Sequence, residues 1–151
     1  TPLNPGHEHS YASVLQVLTH ELTHLVVDEI TNEVLPACLD EGIALYEARQ
    51  MPSSEFIAAQ AAQNMPSIDA LDFNVGTDTG IIYAFSYTLI EFVSREFGND
   101  YMIEIAKTNG DFEKVFNMTE LEFEQAWQAF VMAEYATPGQ KSCTDNNCSA
   151  N

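Results

Sequence analysis

The sequence H-E-L-T-H, at residues 20–24, constrains the fold of this chain more than any other feature. It lies within a run of apolar residues spaced three and four apart, which is typical of a helix. Residues four apart share one face of a helix, so His20 and His24 can bind the same metal ion if this segment is helical. Glu21 would then point into the space beside that ion. The motif predicts a long helix that carries two ligands of a metal site.

A third ligand must come from another part of the chain, because a catalytic zinc ion has three protein ligands and one open position. The best candidate is Glu41, in the segment L-D-E-G-I-A. Pro36 ends one helix and is favoured in the first turn of another. Glu41 is therefore expected near the start of a second helix that folds back on the first. This arrangement predicts one zinc ion per chain, bound by His20, His24 and Glu41.

These two motifs resemble those of the gluzincin clan of zinc metallopeptidases, and the small bacterial gluzincin-like peptidase domains in particular. In that clan the glutamate of an E-G-x-A segment completes the metal site, which implies the same role for Glu41. The likeness extends over residues 1–135. Downstream, Y-A-F-S-Y-T-L-I-E-F-V-S-R-E-F-G resembles the clan's helix that carries a tyrosine and a serine, and F-N-M-T-E-L-E-F-E-Q-A-W-Q-A-F resembles its closing helix.

The resemblance also implies a role for a tyrosine, since gluzincins commonly stabilise the oxyanion with a tyrosine hydroxyl group. Tyr83 matches the motif position better than Tyr87, which shares one face of the predicted helix with it. The alternative is that both are core aromatic residues whose hydroxyl groups reach the surface. Glu47 and Asp28 are close to the ligands in sequence and are candidates to orient a ligand histidine, with surface solvation as the alternative.

The predicted reaction is the zinc-dependent hydrolysis of a peptide bond. Glu21 would act as the general base, taking a proton from the attacking water and passing it to the leaving amine. One alternative is a non-catalytic, zinc-stabilised domain of a larger secreted or surface protein. The retained Glu21 argues against it, because structural zinc has no use for a base. Another alternative is a zinc hydrolase that acts on a non-peptide amide.

The charge of the chain excludes several kinds of partner. Its 151 residues include 23 acidic and 5 basic ones, which gives a formal net charge of −18. Such a chain repels nucleic acid and anionic membranes, because binding to either requires clustered Lys and Arg. No apolar run reaches the length of about 18 residues that a membrane-inserted helix needs. The expected partner is a peptide or protein substrate, and the sequence leaves the oligomeric state open.

The apolar periodicity predicts a mainly α fold, a compact bundle of about six or seven helices around the HExxH helix. In that helix Val14, Leu18, Leu22 and Leu25 are expected to face the core, with the histidines at its edge. Residues 65–79 are rich in Pro, Asp, Asn, Gly and Thr and are expected to form a loop bordering the active cleft. Leu71 and Phe73 are expected to anchor this loop. Thr119 and Glu122 predict a capping box at the start of the last helix.

We expect one metallopeptidase-like domain at residues 1–136 and a flexible tail at residues 137–151. Gluzincins carry β-strands before the HExxH helix, including an edge strand that binds extended substrates. This sequence has no room for that subdomain, which is expected to be absent from it. Either the strands belong to a missing upstream segment, or substrate is held in another way. The chain begins with Thr and lacks a signal peptide, so a mature product or an excised domain is expected.

The cysteines favour a secreted or cell-envelope location. Cys143 and Cys148 can close a small disulfide loop in an oxidising compartment, which leaves Cys38 as a buried free thiol. His7 and His9 alternate in an extended N-terminal segment, where neighbouring side chains point in different directions. We therefore interpret these two histidines as part of a mobile polar terminus and not as metal ligands.

Overall fold

The computed structural model of the chain describes residues 10–31 and 35–136. Within these ranges the chain forms seven α-helices and no β-strands, so the predicted mainly α bundle is confirmed. The helices are α1 (Tyr11–Thr31), α2 (Ala37–Glu47), α3 (Ser54–Asn64), α4 (Thr79–Glu96), α5 (Asp100–Lys107), α6 (Phe112–Phe116) and α7 (Glu120–Val131). Short 3-10 turns at Asp69–Leu71 and Phe73–Val75 precede α4, and a π-helical turn at Met132–Ala136 follows α7.

Several of the residues discussed above lie outside the described ranges. His7 and His9 lie before them, and Cys143 and Cys148 lie after them together with the rest of residues 137–151. The disulfide, the flexible tail and the domain boundary at residue 136 therefore stay predictions. None of the helices in the described part of the chain combines the length and the apolar character needed to span a membrane.

Helix α4 is the centre of the bundle. It packs against α2, α3, α5 and α7, and its apolar side chains are buried on most of its circumference. Trp127 of α7 is fully buried against it, and its indole Nε1 donates a hydrogen bond of 3.1 Å to the hydroxyl oxygen of Thr88. The Thr88 hydroxyl donates in turn to the carbonyl oxygen of Phe85 at 2.8 Å. The indole N–H of Trp127 and the hydroxyl group of Thr88 therefore both have partners where the two helices meet.

Local capping interactions fix where several helices begin. The Ser53 hydroxyl accepts a hydrogen bond from the backbone N–H of Phe56 at the start of α3. At the start of α7, the Thr119 hydroxyl accepts from the N–H of Glu122, and the Glu122 carboxylate accepts from the N–H of Thr119. The predicted capping box is thus confirmed. Such caps satisfy backbone donors that have no partner within the helix.

Gly42 allows α2 to lie very close to α4. A Cβ atom at this position would be 2.4 Å from the carbonyl oxygen of Ser86 and 2.7 Å from Cγ1 of Ile90. No side chain larger than that of glycine fits without moving one of the two helices. The glycine of the E-G-x-A segment therefore sets the position of α2, and with it the position of Glu41, the preceding residue.

Helix α1 packs on α2 and α5 and buries a different face from the one that we predicted. Leu18, Leu22 and Leu25 were expected in the core, but these side chains are 48%, 60% and 66% exposed. The buried residues of α1 are Val27 and Thr31, on the same stripe as the two histidines. The prediction was wrong because α2, which carries Asp40 and Glu41, packs on the histidine stripe of α1. The periodicity identified both stripes but not which one meets α2.

The segment between α3 and α4 is more regular than the predicted loop, because it contains the two 3-10 turns. Leu71 anchors it as predicted and is 1% exposed. Phe73 does not enter the core. Its ring is exposed and makes an edge contact with the ring of Tyr83, with 5.9 Å between the ring centroids.

Candidate metal centre

Helices α1 and α2 bring three potential metal ligands together. The Nε2 atoms of His20 and His24 are 3.0 Å apart. An Oε2 atom from Glu41 lies 3.5 Å from the first of these nitrogens and 3.7 Å from the second. Atoms bound to a tetrahedral zinc ion through bonds of about 2.0–2.1 Å lie roughly 3.3–3.4 Å from one another. The three side chains are therefore arranged so that they could hold one metal ion.

The chemistry of these atoms also fits a cation. The Oε2 atom of Glu41 is buried and has no hydrogen-bond partner among the described residues. Burial raises the pKa of Glu41 above its ordinary value of 4.5, and the imidazoles of His24 and His20 partly oppose this rise. Burying a carboxylate oxygen without a partner is costly, and a bound metal ion removes that cost. Two imidazoles and one carboxylate form a ligand set that zinc prefers.

Asp40 contacts one of the two histidines, which the sequence motifs did not predict. Its Oδ2 atom lies 3.0 Å from Nδ1 of His24. A carboxylate in this position keeps the proton on Nδ1, so Nε2 presents its lone pair to a metal. Consecutive residues on a helix point about 100° apart. Asp40 and Glu41 can therefore reach different atoms of His24 from the same turn of α2.

His20 has a different environment. Its Nδ1 atom is buried and makes no hydrogen bond within the ranges that the structure describes. The ring lies edge-on to that of His24, with the ring centroids 4.7 Å apart. Contact with His24 and with α2 therefore fixes the orientation of His20, whereas a carboxylate fixes the orientation of His24.

Comparison with protein families provides independent information on the chain. The sequence matches the family model of the Peptidase MA superfamily over residues 10–133. The chain belongs to this superfamily. Membership indicates a metallopeptidase-like function, and it bears out the resemblance to the gluzincin-type peptidase clan. No curated protein and no solved structure matches the sequence.

In this member of the Peptidase MA superfamily, Glu21 follows His20, the first histidine of the candidate metal centre, and is exposed. The charge of its carboxylate acts on both Glu41 and Tyr83. Glu21 is therefore near the ligands and open to solvent on α1. A water molecule or a substrate can reach the carboxylate without any movement of the bundle.

The two candidate tyrosines of the superfamily member have different surroundings. Tyr83 is 38% exposed, and partial desolvation together with the charges of Glu41 and Glu21 raises the pKa of its hydroxyl group. Tyr87 is 5% exposed, and burial together with Glu91 raises its pKa to about 12. The structure therefore brings Tyr83 into the electrostatic environment of the candidate metal centre, while Tyr87 lies in the core.

Glu47 and Asp28 do not reach the histidines. Among the described residues, neither makes a hydrogen bond or ion pair with His20 or His24, and the carboxylate beside His24 is that of Asp40. Glu47 is exposed at the edge of a groove between α1, α2 and α5, which agrees with the alternative of surface solvation. The contact of Asp40 with His24 could have been suspected from the sequence, because Asp40 precedes Glu41 in the first turn of α2.

Cys38 lies in α2 but borders a cavity that does not include the candidate metal centre. It is buried and borders a space of about 210 Å³ together with Asp72 and Glu120. Burial is the main cause that raises the pKa of its thiol to about 12. A thiol of this kind is protonated at neutral pH and is a poor metal ligand, because metals bind the thiolate.

Proposed function

We propose that this chain is a zinc-dependent hydrolase of peptide bonds. The observation that supports this function is that His20, His24 and Glu41 converge, while Glu21 directly follows His20 and its charge acts on Glu41. A structural zinc site needs only the ligands. A glutamate that is exposed beside such a site and close to the ligand carboxylate is suited to move protons.

His20, His24 and Glu41 would bind the zinc ion. When bound there, zinc would polarise the carbonyl group of the substrate and make water easier to deprotonate. Asp40 keeps the His24 ring in one tautomer and one orientation. Three protein ligands leave one position of a tetrahedral ion open, which is the arrangement of catalytic zinc sites.

Glu21 acts in this proposal as the general base and then as the general acid. Its carboxylate accepts a proton from the water that attacks the carbonyl carbon. It then passes that proton to the amide nitrogen, the C–N bond breaks, and a carboxylic acid and an amine are released. Proton transfer of this kind contributes about 10²–10⁴-fold to the rate.

Tyr83 donates a hydrogen bond to the carbonyl oxygen as negative charge develops on it. The pKa of Tyr83 lies above its ordinary value of 10, so its hydroxyl group is protonated at neutral pH and can donate. Its partial exposure leaves the hydroxyl accessible to a substrate. A donor placed where charge develops stabilises the transition state more than the ground state.

The test is cleavage of a mixture of internally quenched peptides by zinc-loaded protein. We expect wild-type protein to cleave and Glu21→Gln to lose at least about 10²-fold in rate while it retains zinc. Glu29→Gln, the same chemical change at an exposed position of α1, is the matched control and should cleave normally. Cleavage by Glu21→Gln at the wild-type rate would contradict the assignment. Zinc binding without cleavage by the wild-type protein would favour the non-catalytic, zinc-stabilised domain.

A further inference from the structure

Phe73 lies at the surface next to Tyr83, the residue that would donate to the carbonyl oxygen of the substrate. The two rings meet edge to face, with their centroids 5.9 Å apart and an angle of 73° between the ring planes. Aromatic pairs prefer this arrangement to a parallel sandwich. Phe73 is 42% exposed although phenylalanine is usually buried, so a place in the core does not explain its position.

The hydroxyl group of Tyr83 is not held by a polar contact. Within residues 10–31 and 35–136, no group forms a hydrogen bond with it, whereas the hydroxyl groups of Tyr46 and Tyr135 each donate to another side chain. A side chain that is 38% exposed and lacks such a contact can change between staggered rotamers. The direction of the Tyr83 hydroxyl therefore depends on the contacts of its ring.

The geometry of α4 explains why the ring of Tyr83 meets Phe73. Tyr83 is the fifth residue of this helix, which begins at Thr79. Side chains on a helix lean towards its N-terminus, so the ring of Tyr83 leans towards the segment that precedes α4. That segment contains the 3-10 turn at Phe73–Val75. Phe73, at the start of the turn, meets the tyrosine ring there.

Local interactions on both sides fix the 3-10 turn at Phe73–Val75. Before the turn, the side chain of Leu71 is buried. The Asp72 carboxylate accepts hydrogen bonds from the backbone N–H and from Nδ2 of Asn74, at 2.7 and 2.8 Å. After the turn, the Asp78 carboxylate caps the start of α4. The phenyl ring is therefore presented from an ordered turn and can restrict the movement of a neighbouring side chain.

We propose that Phe73 is a positioning residue for Tyr83. Its ring restricts the rotation of the tyrosine side chain and keeps the hydroxyl group directed at the carbonyl oxygen of the substrate. The charges of Glu41 and Glu21 act on this hydroxyl group, which places it in the electrostatic environment of the candidate metal centre. The inference rests on the proposed function, because it assigns Phe73 a role only through the part of Tyr83 in hydrolysis.

Steady-state cleavage of one quenched peptide by zinc-loaded protein gives kcat and KM for each variant. The variants are Phe73→Ala, Phe73→Tyr, Tyr83→Phe and the double variant Phe73→Ala/Tyr83→Phe. Val75→Ala, which changes a residue that is 58% exposed in the same turn, is the control. A second measurement does not depend on activity. Fluorine NMR of metal-free protein that contains fluorotyrosine reports on the Tyr83 ring, whose signal is assigned from its loss in Tyr83→Phe.

We expect Phe73→Ala to lower kcat about threefold to tenfold with KM unchanged, because the loss of the aromatic pair frees the tyrosine ring. Phe73→Tyr retains a ring and should keep most of the activity, and Val75→Ala should cleave normally. In the Tyr83→Phe background, Phe73→Ala should not lower kcat further, since the hydroxyl group through which it acts is already missing. The fluorine signal of Tyr83 should shift in Phe73→Ala and not in Val75→Ala.

Some results would overturn this inference and leave the proposed hydrolysis intact. They are a normal kcat in Phe73→Ala beside a loss in Tyr83→Phe, an equal loss from Phe73→Ala in the Tyr83→Phe background, and an unchanged fluorine signal. A rise in KM alone would do the same, because it would make Phe73 a contact of the substrate. Wild-type protein that does not cleave, or Tyr83→Phe that cleaves normally, would instead overturn the proposed part of Tyr83, and this inference with it. Circular dichroism verifies that each variant is folded.

Discussion

The Oδ2 atom of Asp40 lies 3.0 Å from Nδ1 of His24, on the side of the imidazole ring opposite the nitrogen that faces Glu41. Two neighbouring carboxylates of α2 thus engage both nitrogens of one histidine. In the proposed metal centre, one carboxylate would fix the tautomer of His24 and the other would bind the ion. Asp40 would then affect metal affinity without contacting the metal.

Asp40→Ala should weaken zinc binding by about 10–100-fold, because His24 loses the group that holds its proton on Nδ1. Asp40→Asn retains an oxygen beside Nδ1 and should weaken binding less. Competition with a chromophoric chelator measures both affinities. Asp28→Ala is the control, since Asp28 does not contact a ligand histidine in the structure. Equal zinc affinity in Asp40→Ala and wild type would show that Asp40 has no such role.

Tyr83→Phe should lower kcat for peptide cleavage by about 10²–10³-fold, the usual effect of removing one oxyanion donor. Zinc content should not change, since Tyr83 is not among the ligands. Tyr87→Phe removes the same hydroxyl group from a buried tyrosine outside the site and should leave kcat near the wild-type value. Steady-state rates on one peptide substrate separate the two variants. A larger loss in Tyr87→Phe would reverse the assignment.

Gly42→Ala should destabilise the fold, because the added Cβ would lie 2.4 Å from the carbonyl oxygen of Ser86. Forcing one extra carbon into such a contact costs about 1–3 kcal/mol of unfolding free energy. Zinc affinity should fall as well, since α2 must shift and carries Glu41. Urea denaturation of the metal-free protein gives the stability change. An unchanged urea midpoint would mean that α2 and α4 are not in the close contact described above.

Glu122 should make folding sensitive to acid. The N–H and hydroxyl groups of Thr119 donate to its carboxylate and lower its pKa from the ordinary value of 4.5. A lowered pKa in the folded state gives stability that is fully present above pH 4.5 and is lost as the pH falls through the folded-state pKa. The melting temperature of wild type should therefore exceed that of Glu122→Gln at pH 7, and the difference should shrink as the pH falls below 4.5. A difference in melting temperature that does not change with pH would show that the Glu122 carboxylate makes no such contribution to stability.

Features encoded by neighbouring residues could be predicted from the sequence. The start of α7 follows from Thr119 and Glu122, because the capping box needs only residues three apart. The pairing of His20 and His24 follows from helix geometry in the same way. Glu41 was predictable because its E-G-x-A segment resembles that of gluzincins and Pro36 places the segment near the start of a second helix.

Features decided by contacts between helices were not predictable in this way. Periodicity shows which residues of α1 share a face, but the packing of α2 determines which face is buried. Leu18 and Leu25 were therefore misassigned to the core. The contact of Asp40 with His24 depends on the rotation of α2, which the close approach of Gly42 to α4 sets. The spacing of residues along the sequence does not specify how α2 is rotated.

The most direct test of the metal centre is zinc content per chain, measured by elemental analysis before and after incubation with zinc. The comparison includes His24→Ala and Glu41→Gln, which each remove one ligand, and Glu29→Gln as a control. We expect one zinc ion per chain in wild type and in the control, and little in the two ligand variants. Wild-type protein that binds no zinc after incubation, or ligand variants that bind as much as wild type, would contradict the account.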